Sequence, residues 1–494
     1  MATRPWYDDE VDVHTVHRTR SPGVPGVRPH SGSMVQDRLP PRLARVPSPA
    51  MTTSVAPWQN WAGNVLASPS GRSLPTTVAE VSDVVTRAAE RGTRVKCVGA
   101  GHSFTPAAAT DGVLVSLDDL AGVESIVPTR GADGRVDGAD VTVWAGTRLH
   151  RLGPLLWELG LAQPNLGDFA EQSLAGAVST GTHGTGCAAP GLPATVVGLQ
   201  LVTADGSVLT CSRESDPEVF EAARLGIGAL GIITKMTVRC VPAFALQAEE
   251  RPWTLTAALA DLEGFARSAD HAEFFWFPHT DAINVKRNTR LPGDAELHPV
   301  GRIRGLIGDE LLSNEVFDVL CRAATRRPAL TPRLNRVASR ALSARDFTDR
   351  SYRVFASPRR VRFREMEYAV PVAAATGVLR DLRDTIDRSG IVTPFPVEVR
   401  FAAADDVWMS TAYGREVCYI AVHQYHLMDH TELFRLAEGI FLAAGGRPHW
   451  GKMHTRTAED LSAMVDRFDD FVSVRDRLDP ERVFGNDYTE RVLP

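Results

Sequence analysis

The sequence predicts an α+β protein of two domains, and three observations support this prediction. A chain of 494 residues exceeds one ordinary domain, because domains usually hold about 100–200 residues. Hydrophobic residues form 44% of the chain and charged residues 23%, a composition that can build sizeable cores. From Met51 onward, helical and strand-like patterns alternate, and a strand that ends at Pro242 closes a first unit near residue 243.

Residues 1–50 differ in composition from the rest of the chain. They contain eight of the 32 prolines and seven arginines, but no isoleucine or phenylalanine. Such a segment cannot bury enough apolar surface to offset the entropy cost of ordering, so we expect a disordered tail. Because the folded pattern starts at Met51, two interpretations stay open: a native tail, and an extension that precedes the native start.

Composition and charge exclude several classes of protein. A net charge of −6 argues against a nucleic-acid partner. No apolar run approaches the ~18–20 residues of a membrane-spanning helix, and the N-terminus lacks the basic-then-apolar pattern of a secretory signal. The six cysteines show no CxxC or other paired spacing, which argues against a disulfide scaffold or a zinc ribbon. We therefore expect a cytoplasmic protein in a reducing environment.

The first unit opens with a predicted helix. Thr77-Val78-Ala79-Glu80 has the pattern of a capping box, and Gly92 lies where a C-terminal cap belongs. Further along, Asp205-Gly206 predicts the turn of a β-hairpin. The other predicted elements are strands at 95–98, 113–117 and 141–145, the last two flanking an acidic Gly-rich turn region, a leucine-rich helix at 149–159, a Gly/Thr-rich loop at 164–186, hairpin strands at 196–204 and 207–210, and a strand at 231–241.

The second unit opens with a strand-like stretch at 243–250 and contains an aromatic-rich strand pair in HAEFFWFPHTDAINVKR, residues 271–287. An Arg-rich stretch with little pattern follows over about 287–350. The predicted elements after it are a strand at 360–370, a helix at 372–389, and strands at 396–402 and 417–425.

Two glycine-rich loops in the first unit are candidates for binding a pyrophosphate. In VGAGHSF, residues 98–104, a predicted strand leads into the glycines, but Phe104 replaces the third glycine of a dinucleotide fingerprint and no helix follows. In SLAGAVSTGTHGTG, residues 173–186, no lysine is present, which excludes a P-loop. Backbone N–H groups and hydroxyls in both loops suit an anion, and an ordinary turn remains the alternative.

Two patterns in the second unit carry charged candidates. In PVEVRF, residues 396–401, Glu398 and Arg400 project from one face of a predicted strand, with a solvated strand face as the alternative. In RPHWGK, Lys452 is one of only four lysines against fifty arginines, and it follows Trp450. His102, His183, His423, His449 and His454 show no metal-binding spacing, so no metal is expected.

Taken together, these motifs resemble the aldonolactone oxidoreductases, that is, the L-gulonolactone and D-arabinono-1,4-lactone oxidases of the vanillyl-alcohol-oxidase flavoprotein superfamily. VGAGHSF, GDFAEQSLAGAVSTGTHGTG, GALGIIT, EVRF, STAYGR and RPHWGK occur in the family's order. The segments VRFREMEYAVP, EVRF, STAYGR and CYIAVHQY are most similar to the actinobacterial branch of the family. The resemblance implies a PCMH-type FAD-binding domain at 58–243 and a substrate-covering cap domain at 244–494, made of antiparallel sheet plus helices.

The resemblance also implies a cofactor and its site. FAD would be attached covalently through His102, which makes the flavin a stronger oxidant and prevents its loss. The positions that match the family's cofactor-binding segments are Val98, Gly99, Ala100, Gly101, Ser103, Phe104, Gly167, Asp168, Ser173, Gly176, Ala177, Ser179, Thr180, Gly181, Thr182, His183, Gly184, Thr185, Gly228, Gly231, Ile232 and Ile233.

The implied reaction is hydride transfer from a substrate carbinol carbon to flavin N5. By the family's pattern, Glu398 orients or deprotonates the hydroxyl, and Arg400 and Lys452 stabilise negative charge. His423 is placed at the pocket as well. Gly167 matches the family's oxygen gate, where a small residue favours an oxidase that produces hydrogen peroxide.

The sequence leaves more than one substrate and more than one electron acceptor open. Asp168 replaces the serine of alditol oxidases, which favours a sugar lactone such as L-gulono- or D-arabinono-1,4-lactone over a polyol. An alditol or sugar oxidase, and a lactone dehydrogenase with another electron acceptor than O2, stay open on the same fold. A catalytically silent flavin-binding protein is disfavoured because His102, Glu398, Arg400 and Lys452 are all present. Peripheral membrane association also stays open, since some relatives associate with membranes.

Overall fold

The computed structural model describes residues 55–300, 315–340, 343–357 and 360–494. The tail predicted for residues 1–50 and part of the Arg-rich stretch, at 301–314, lie outside the described residues. Helices and strands both contribute substantially, which confirms the α+β class. Within the described ranges, no helix combines the length and apolar character needed to cross a membrane.

The first half of the chain contains eleven strands in the part that the structure describes. Strands β1 to β11 are Trp58–Gln59, Leu66–Ala67, Gly71–Ser73, Val95–Val98, Val113–Ser116, Val123–Arg130, Val136–Trp144, Leu161–Ala162, Val196–Val202, Val208–Ser212 and Ile232–Pro242. The helices are Val78–Glu90, Leu149–Glu158, Leu174–Ser179 and Pro217–Ala223, and a 3₁₀ turn covers Leu192–Thr195. A parallel sheet has the order β3-β5-β4, and an antiparallel sheet has the order β10-β9-β11-β7-β6, with β8 beside β11 and a separate β1–β2 pair.

The predicted first helix forms, but its cap differs from the expected box. The Thr77 side chain accepts a hydrogen bond from the Glu80 N–H. The Glu80 carboxylate accepts from the N–H of Thr76, one residue before the helix cap. The cap therefore satisfies two backbone donors, although not the reciprocal pair that the sequence pattern predicts.

Two predictions in the first unit were wrong. The Gly-rich turn region between the predicted strands contains β6, an edge strand that pairs with β7. Pro128 has no backbone N–H to donate, and an edge strand tolerates this loss because only one of its sides is hydrogen-bonded to a neighbouring strand. The loop predicted at 164–186 contains the helix Leu174–Ser179, and the Ser173 side chain accepts from the Gly176 N–H at its start. Gly176 inside this short helix disguised its pattern in the sequence.

The second half forms one large antiparallel sheet. Strands β12 to β19 are Phe244–Thr254, His271–Trp276, Ala282–Pro292, Arg345–Arg350, Phe363–Pro371, Val397–Ala402, Val417–Tyr425 and Arg447–Pro448. Their order in the sheet is β15-β12-β14-β13-β17-β18-β16-β19. The helices are Leu255–Ala260, Leu262–Ala266, Phe317–Arg326, Thr331–Arg340, Ser351–Phe355, Val372–Ser389, Thr431–Ala443, Ala458–Ser462, Phe468–Leu478 and Asp487–Val492, and a 3₁₀ turn covers Pro328–Leu330.

One face of this sheet packs against helices, and the other carries the polar residues. Val397, Val399 and Phe401 of β17 lie in an apolar core with residues of the helix Val372–Ser389. Because side chains alternate along a strand, Glu398 and Arg400 project from the opposite face. The neighbouring strands are in register, with Glu365 of β16 opposite His423 of β18. The polar face therefore gathers charged residues from several strands.

The last part of the chain packs into the first unit. Trp450, Phe471 and Tyr488 belong to the same apolar core as Val141 of β7 and Leu199 of β9. The predicted boundary near residue 243 stays a prediction. The contacts of the C-terminal segment show that residues from both ends of the chain build the core beneath the first unit.

Candidate active site

Two cavities meet at His102. The first, with an empty volume of about 1160 Å³, is a cleft between the loop 98–103, the helix Leu174–Ser179 and residues 226–233. The second, of about 750 Å³, lies between the first unit and the polar face of the large sheet. Because His102 lines both cavities, a group attached to it would extend from the cleft into the second cavity.

Close backbone packing gives the first cleft its shape. A Cβ atom at Gly99 would stand only 2.1 Å from Ser173 Oγ, so a side chain there would push the loop away from the helix start. At Gly231, φ is +152° and a Cβ atom would lie 2.6 Å from the Val202 carbonyl oxygen. The result is a long cleft with backbone and hydroxyl groups along its walls. This lining of glycine backbone and hydroxyl groups suits the phosphates of a dinucleotide such as FAD.

The predicted cofactor residues fall into three groups. Those that line the first cleft are Val98, Gly99, Ala100, Gly101, His102, Ser103, Ser173, Gly176, Ser179, Thr180, Gly228, Gly231 and Ile233. Those that line only the second cavity are Phe104, Gly167, Asp168, Thr182 and His183. Ala177, Gly181, Gly184, Thr185 and Ile232 line neither cavity.

The residues that line neither cavity pack beneath the cavity walls and hold them in place. Ala177 and Ile232 are buried in apolar cores. The Thr185 hydroxyl donates to the Ala272 carbonyl at 2.5 Å and accepts from the Phe401 N–H, so it joins the loop to the large sheet.

His102 has a largely apolar surrounding. Its ring centroid lies 4.1 Å from that of Phe169 and 5.5 Å from that of Trp61. Burial, together with the charges of Arg148 and Lys452, lowers the pKa of His102 to about 4. The imidazole is therefore neutral at physiological pH and keeps a nitrogen lone pair that can form a bond.

All four predicted catalytic residues line the second cavity: Glu398, Arg400, His423 and Lys452. Glu398 and Arg400 lie on β17, His423 on β18, and Lys452 in the turn after β19. Glu398, Arg400 and His423 are buried, so the solvated-face interpretation of EVRF does not hold.

Three carboxylates surround Arg400. Its Nη2 lies 3.1 Å from Asp168 Oδ2 and contacts Glu398, and its Nε donates to Glu273 Oε2 at 2.8 Å. Although burial opposes the charge, these carboxylates hold the pKa of Arg400 well above its ordinary value. Asp168, which the family pattern places with the cofactor, is thus an ion-pair partner of Arg400, one of the predicted catalytic residues.

Glu365 joins Lys452 and His423. Its Oε1 lies 2.5 Å from Lys452 Nζ and 3.5 Å from His423 Nε2. Burial alone would raise the pKa of Glu365, but the charges of Lys452 and His423 lower it to about 2. Burial likewise opposes the charge of Lys452, but Glu365 and Glu367 raise its pKa, so the ammonium stays charged.

A second histidine–carboxylate contact lies beside the first. His183 Nε2 is 3.3 Å from Glu367 Oε1, and its ring stacks on Tyr419 with centroids 3.4 Å apart. His183, Glu367 and His449 offer one ligand atom each within 4.8 Å of one another, as a metal site would. However, His449 Nδ1 accepts from the Gly451 N–H, which leaves the ring proton on Nε2 and no lone pair there for a metal. That no metal binds stays a prediction.

Sequence reasoning missed Glu273, Glu365 and Glu367 as site residues. FREMEY has the same alternation as EVRF: Glu365 and Glu367 face the cavity, while Met366 and Tyr368 enter the apolar core. That pattern could have identified the two glutamates. For Glu273, a single acid in an aromatic strand, we find no comparable signal.

The sequence profile of the D-arabinono-1,4-lactone oxidase family matches residues 236–492, and that of an FAD binding domain matches residues 69–212. An L-gulono-1,4-lactone dehydrogenase of Mycobacterium tuberculosis is 42% identical over 436 residues, covering 88% of this chain and 99% of that protein. An L-gulonolactone oxidase of Scyliorhinus torazame is 33% identical over 443 residues, covering 88% of this chain and 98% of that protein.

Solved structures share the fold at low identity. A solvent-stable cholesterol oxidase superposes with a TM-score of 0.73 at 19% identity, covering 88% of this chain and 96% of that one. A cholesterol oxidase from B. sterolicum gives a TM-score of 0.72 at 18% identity, covering 92% and 100%. The fold is thus the PCMH-type FAD-binding fold with a sheet-rich C-terminal domain. With its matched profiles and relatives, the chain belongs to the D-arabinono-1,4-lactone oxidase family, the aldonolactone oxidoreductases that its motifs resemble.

Proposed function

We propose that this protein oxidises an aldono-1,4-lactone, of the L-gulono or D-arabinono type, with covalently bound FAD as its cofactor and O2 as its electron acceptor. The observation that carries the proposal is the junction at His102, where a cleft that fits FAD opens into a cavity with charged walls. The names of the relatives support a lactone as the substrate class.

The second cavity suits a small molecule with many hydroxyl groups. Its walls carry carboxylates, Arg400, Lys452 and histidines, all of which can bind hydroxyl and carbonyl oxygens. A sterol, the substrate class in the names of the solved neighbours, has a single hydroxyl group and would remove water from most of these charges without replacing its hydrogen bonds. The similarity to cholesterol oxidases therefore concerns the fold and not the substrate.

The residues of the cavity divide the chemistry between them. Bound FAD would supply the two-electron acceptor for a hydride, which the side chains themselves cannot provide. Residues 98–103, Ser179 and Thr180 would hold it in the first cleft. Glu398, held in place by Arg400, orients the reacting hydroxyl and takes its proton as the carbinol becomes a carbonyl. The Lys452 ammonium lowers the energy of the negative charge that develops on the substrate oxygen.

Covalent attachment through His102 is tested on the denatured protein. We expect flavin fluorescence to comigrate with the wild-type polypeptide on a denaturing gel, and to be absent from His102→Ala. His150→Ala, which changes a partly exposed histidine, serves as the control and should keep the fluorescent band. A fluorescent band in His102→Ala would show that another residue carries the flavin.

Oxygen as the acceptor is supported by Gly167 in the wall of the second cavity. A Cβ atom there would lie 3.1 Å from Thr182 Cγ2, so a side chain would narrow this part of the cavity. We expect hydrogen peroxide to form with L-gulono-1,4-lactone or D-arabinono-1,4-lactone, and much more slowly with xylitol. Turnover with an artificial acceptor but no oxygen uptake would instead support a dehydrogenase, the second candidate, because a relative at 42% identity bears that name.

A further inference from the structure

His102 differs from the buried histidines in how its ring is held. Within the described ranges, the buried histidines each have a ring nitrogen in a hydrogen bond, and they are His183, His271, His423, His449 and His454. His102, which lines both cavities, makes no hydrogen bond or ion pair with any residue in the described part of the chain. Its two ring nitrogens are therefore free of protein partners.

In the proposed covalent attachment, both ring nitrogens of His102 take part. One nitrogen uses its lone pair to form the new bond to the 8α-methyl carbon of the flavin, and the other loses its proton so that the product is neutral. One hydrogen thus leaves the imidazole and one leaves the methyl group, and O2 takes the two electrons and two protons as hydrogen peroxide. A hydrogen-bond partner would engage one of these nitrogens, so contacts that leave both free suit this histidine better.

The backbone on both sides of His102 is fixed by two neighbouring residues, Asn60 and Trp61. The Trp61 N–H donates to the Gly101 carbonyl oxygen at 2.8 Å. The Asn60 side-chain amide donates to the Ser103 carbonyl oxygen at 2.9 Å. Because these bonds reach the residues directly before and after His102, they set the position of its backbone and leave only the ring orientation to be determined.

Two aromatic rings limit the orientation of the imidazole. The Phe169 ring lies 4.1 Å from the His102 ring, measured between centroids, with an angle of 58° between the ring planes. The Trp61 ring lies 5.5 Å from the His102 ring at an angle of 43°, and the Trp61 and Phe169 rings are 6.0 Å apart. Rotation of the imidazole would bring its atoms against these rings, and ring contacts of this kind occupy no nitrogen lone pair.

Phe169 is itself held by the second unit. The carbonyl oxygen of the preceding residue, Asp168, accepts from the Ser357 N–H at 3.0 Å, and the Asp168 carboxylate lies 3.1 Å from Arg400 Nη2. The Trp61 ring likewise contacts the ring of Phe363 on β16, with centroids 5.4 Å apart. Both aromatic neighbours of the imidazole are therefore fixed by contacts between the two units of the chain.

We propose that Trp61 and Phe169 position the His102 imidazole for covalent attachment of the flavin and leave both of its nitrogens free to react. The proposal rests on the covalent attachment in the proposed function. Trp61 and Phe169 act through His102 and are positioning residues. Orientation of a nucleophile before its reaction removes part of the entropy cost of the bond-forming step, so loss of either ring should slow the attachment.

The test measures the covalent fraction of the flavin in the purified full-length protein. This fraction is the flavin that stays with the polypeptide after acid precipitation, divided by the total flavin before it. In Phe169→Ala, the covalent fraction should fall at least about 2-fold, because an unoriented imidazole reacts more slowly. Total flavin should stay close to that of the wild type, since Phe169 lines the second cavity and not the first cleft.

Three further variants accompany Phe169→Ala. Phe169→Tyr keeps an aromatic ring and should restore the wild-type covalent fraction. Trp61→Leu removes the indole but keeps the backbone bond to Gly101, and should also lower the covalent fraction; it decides the question if Phe169→Ala does not fold. Phe347→Ala is the matched control: Phe347 is a half-buried phenylalanine on the edge strand β15, lines neither cavity, and its loss should leave the covalent fraction unchanged.

Three results would overturn the proposal. A wild-type covalent fraction in both Phe169→Ala and Trp61→Leu would show that the rings do not position His102. A loss of total flavin at a constant covalent fraction would show that these residues hold the cofactor and not the histidine. Flavin without any covalent fraction in the wild type would refute the covalent attachment, and the positioning role with it. The wild-type measurement therefore separates a failure of the proposed function from a failure of this inference.

Discussion

Arg400 shows how strongly the neighbours of a residue change its expected role. The family pattern implies that this guanidinium stabilises negative charge on the substrate. In the structure, Asp168, Glu273 and Glu398 all contact Arg400, so carboxylates of the protein itself balance its positive charge. Because the three carboxylates hold Arg400 and Arg400 holds Glu398, we expect its main effect to be the placement of the Glu398 carboxylate.

At the same scale, Glu398→Gln should reduce turnover by at least about 100-fold, because an amide cannot accept the hydroxyl proton. Flavin content should stay the same, since Glu398 lines the second cavity and not the first cleft. Steady-state kinetics and the visible absorbance of the purified protein measure the two quantities. Glu416→Gln, which removes an exposed ion pair with Arg267, is the control and should match the wild type. Unchanged turnover in Glu398→Gln would reduce Glu398 to a structural role.

At the scale of single elements, the short helix Leu174–Ser179 and the loop 98–103 form one unit. The loop can approach the helix start only because Gly99 has no side chain. Strand β4 places this loop, and the Ser173 cap fixes the first turn of the helix. The cofactor cleft therefore depends on contact between two elements that are distant in sequence.

Gly99→Ala should lower the flavin content of the purified protein severalfold, because the new Cβ would collide with Ser173 Oγ and displace the loop. Gly377→Ala is a matched control: it lies in the helix Val372–Ser389 with no atom near its Cβ position, and it should be neutral or slightly stabilising. Flavin absorbance per protein and thermal unfolding measure both effects. Adding Ser173→Ala to Gly99→Ala should recover part of the flavin. Full flavin content in Gly99→Ala alone would contradict the proposed packing.

At the scale of the whole molecule, the C-terminal segment holds the cofactor cleft together. Lys96 is fully buried on β4, and its ammonium donates to the carbonyl oxygens of Gly228 at 3.1 Å and Phe484 at 2.9 Å. One side chain thereby joins the cleft to a residue near the end of the chain. Burial lowers the pKa of Lys96 to about 8, although Asp479 opposes the shift.

This shift predicts a pH effect on stability. A lysine with a pKa of about 10.4 in the unfolded chain and about 8 in the folded protein penalises folding fully below pH 8. The penalty disappears as the pH rises toward 10.4, which amounts to about 3 kcal/mol. Urea unfolding should therefore show wild-type stability rising relative to Lys96→Met between pH 8 and 10. A difference that stays constant over this range would show that the pKa of Lys96 is not lowered.

The sequence predicted correctly those elements whose pattern is visible among residues close together in the chain. The helix Val372–Ser389 and the strands Val95–Val98 and Val417–Tyr425 were predicted with the observed bounds, because periodicity and caps are local properties. Strand β6 and the helix Leu174–Ser179 were missed, since proline or glycine inside them masks the local pattern. The motifs also identified the family and the four catalytic candidates that line the second cavity.

Only the tertiary structure decided which charges meet. Glu365 reaches His423 because β16 pairs with β18 in register, and Asp168 reaches Arg400 because the first unit packs on the open face of the large sheet. Sheet order and the packing of one unit on another depend on contacts between residues far apart in the chain, which no local pattern records. The sequence by itself therefore determined the family, several of the elements and most of the candidate residues. Packing decided their ion pairs and hence their protonation states, because these depend on burial and on distances of a few ångströms.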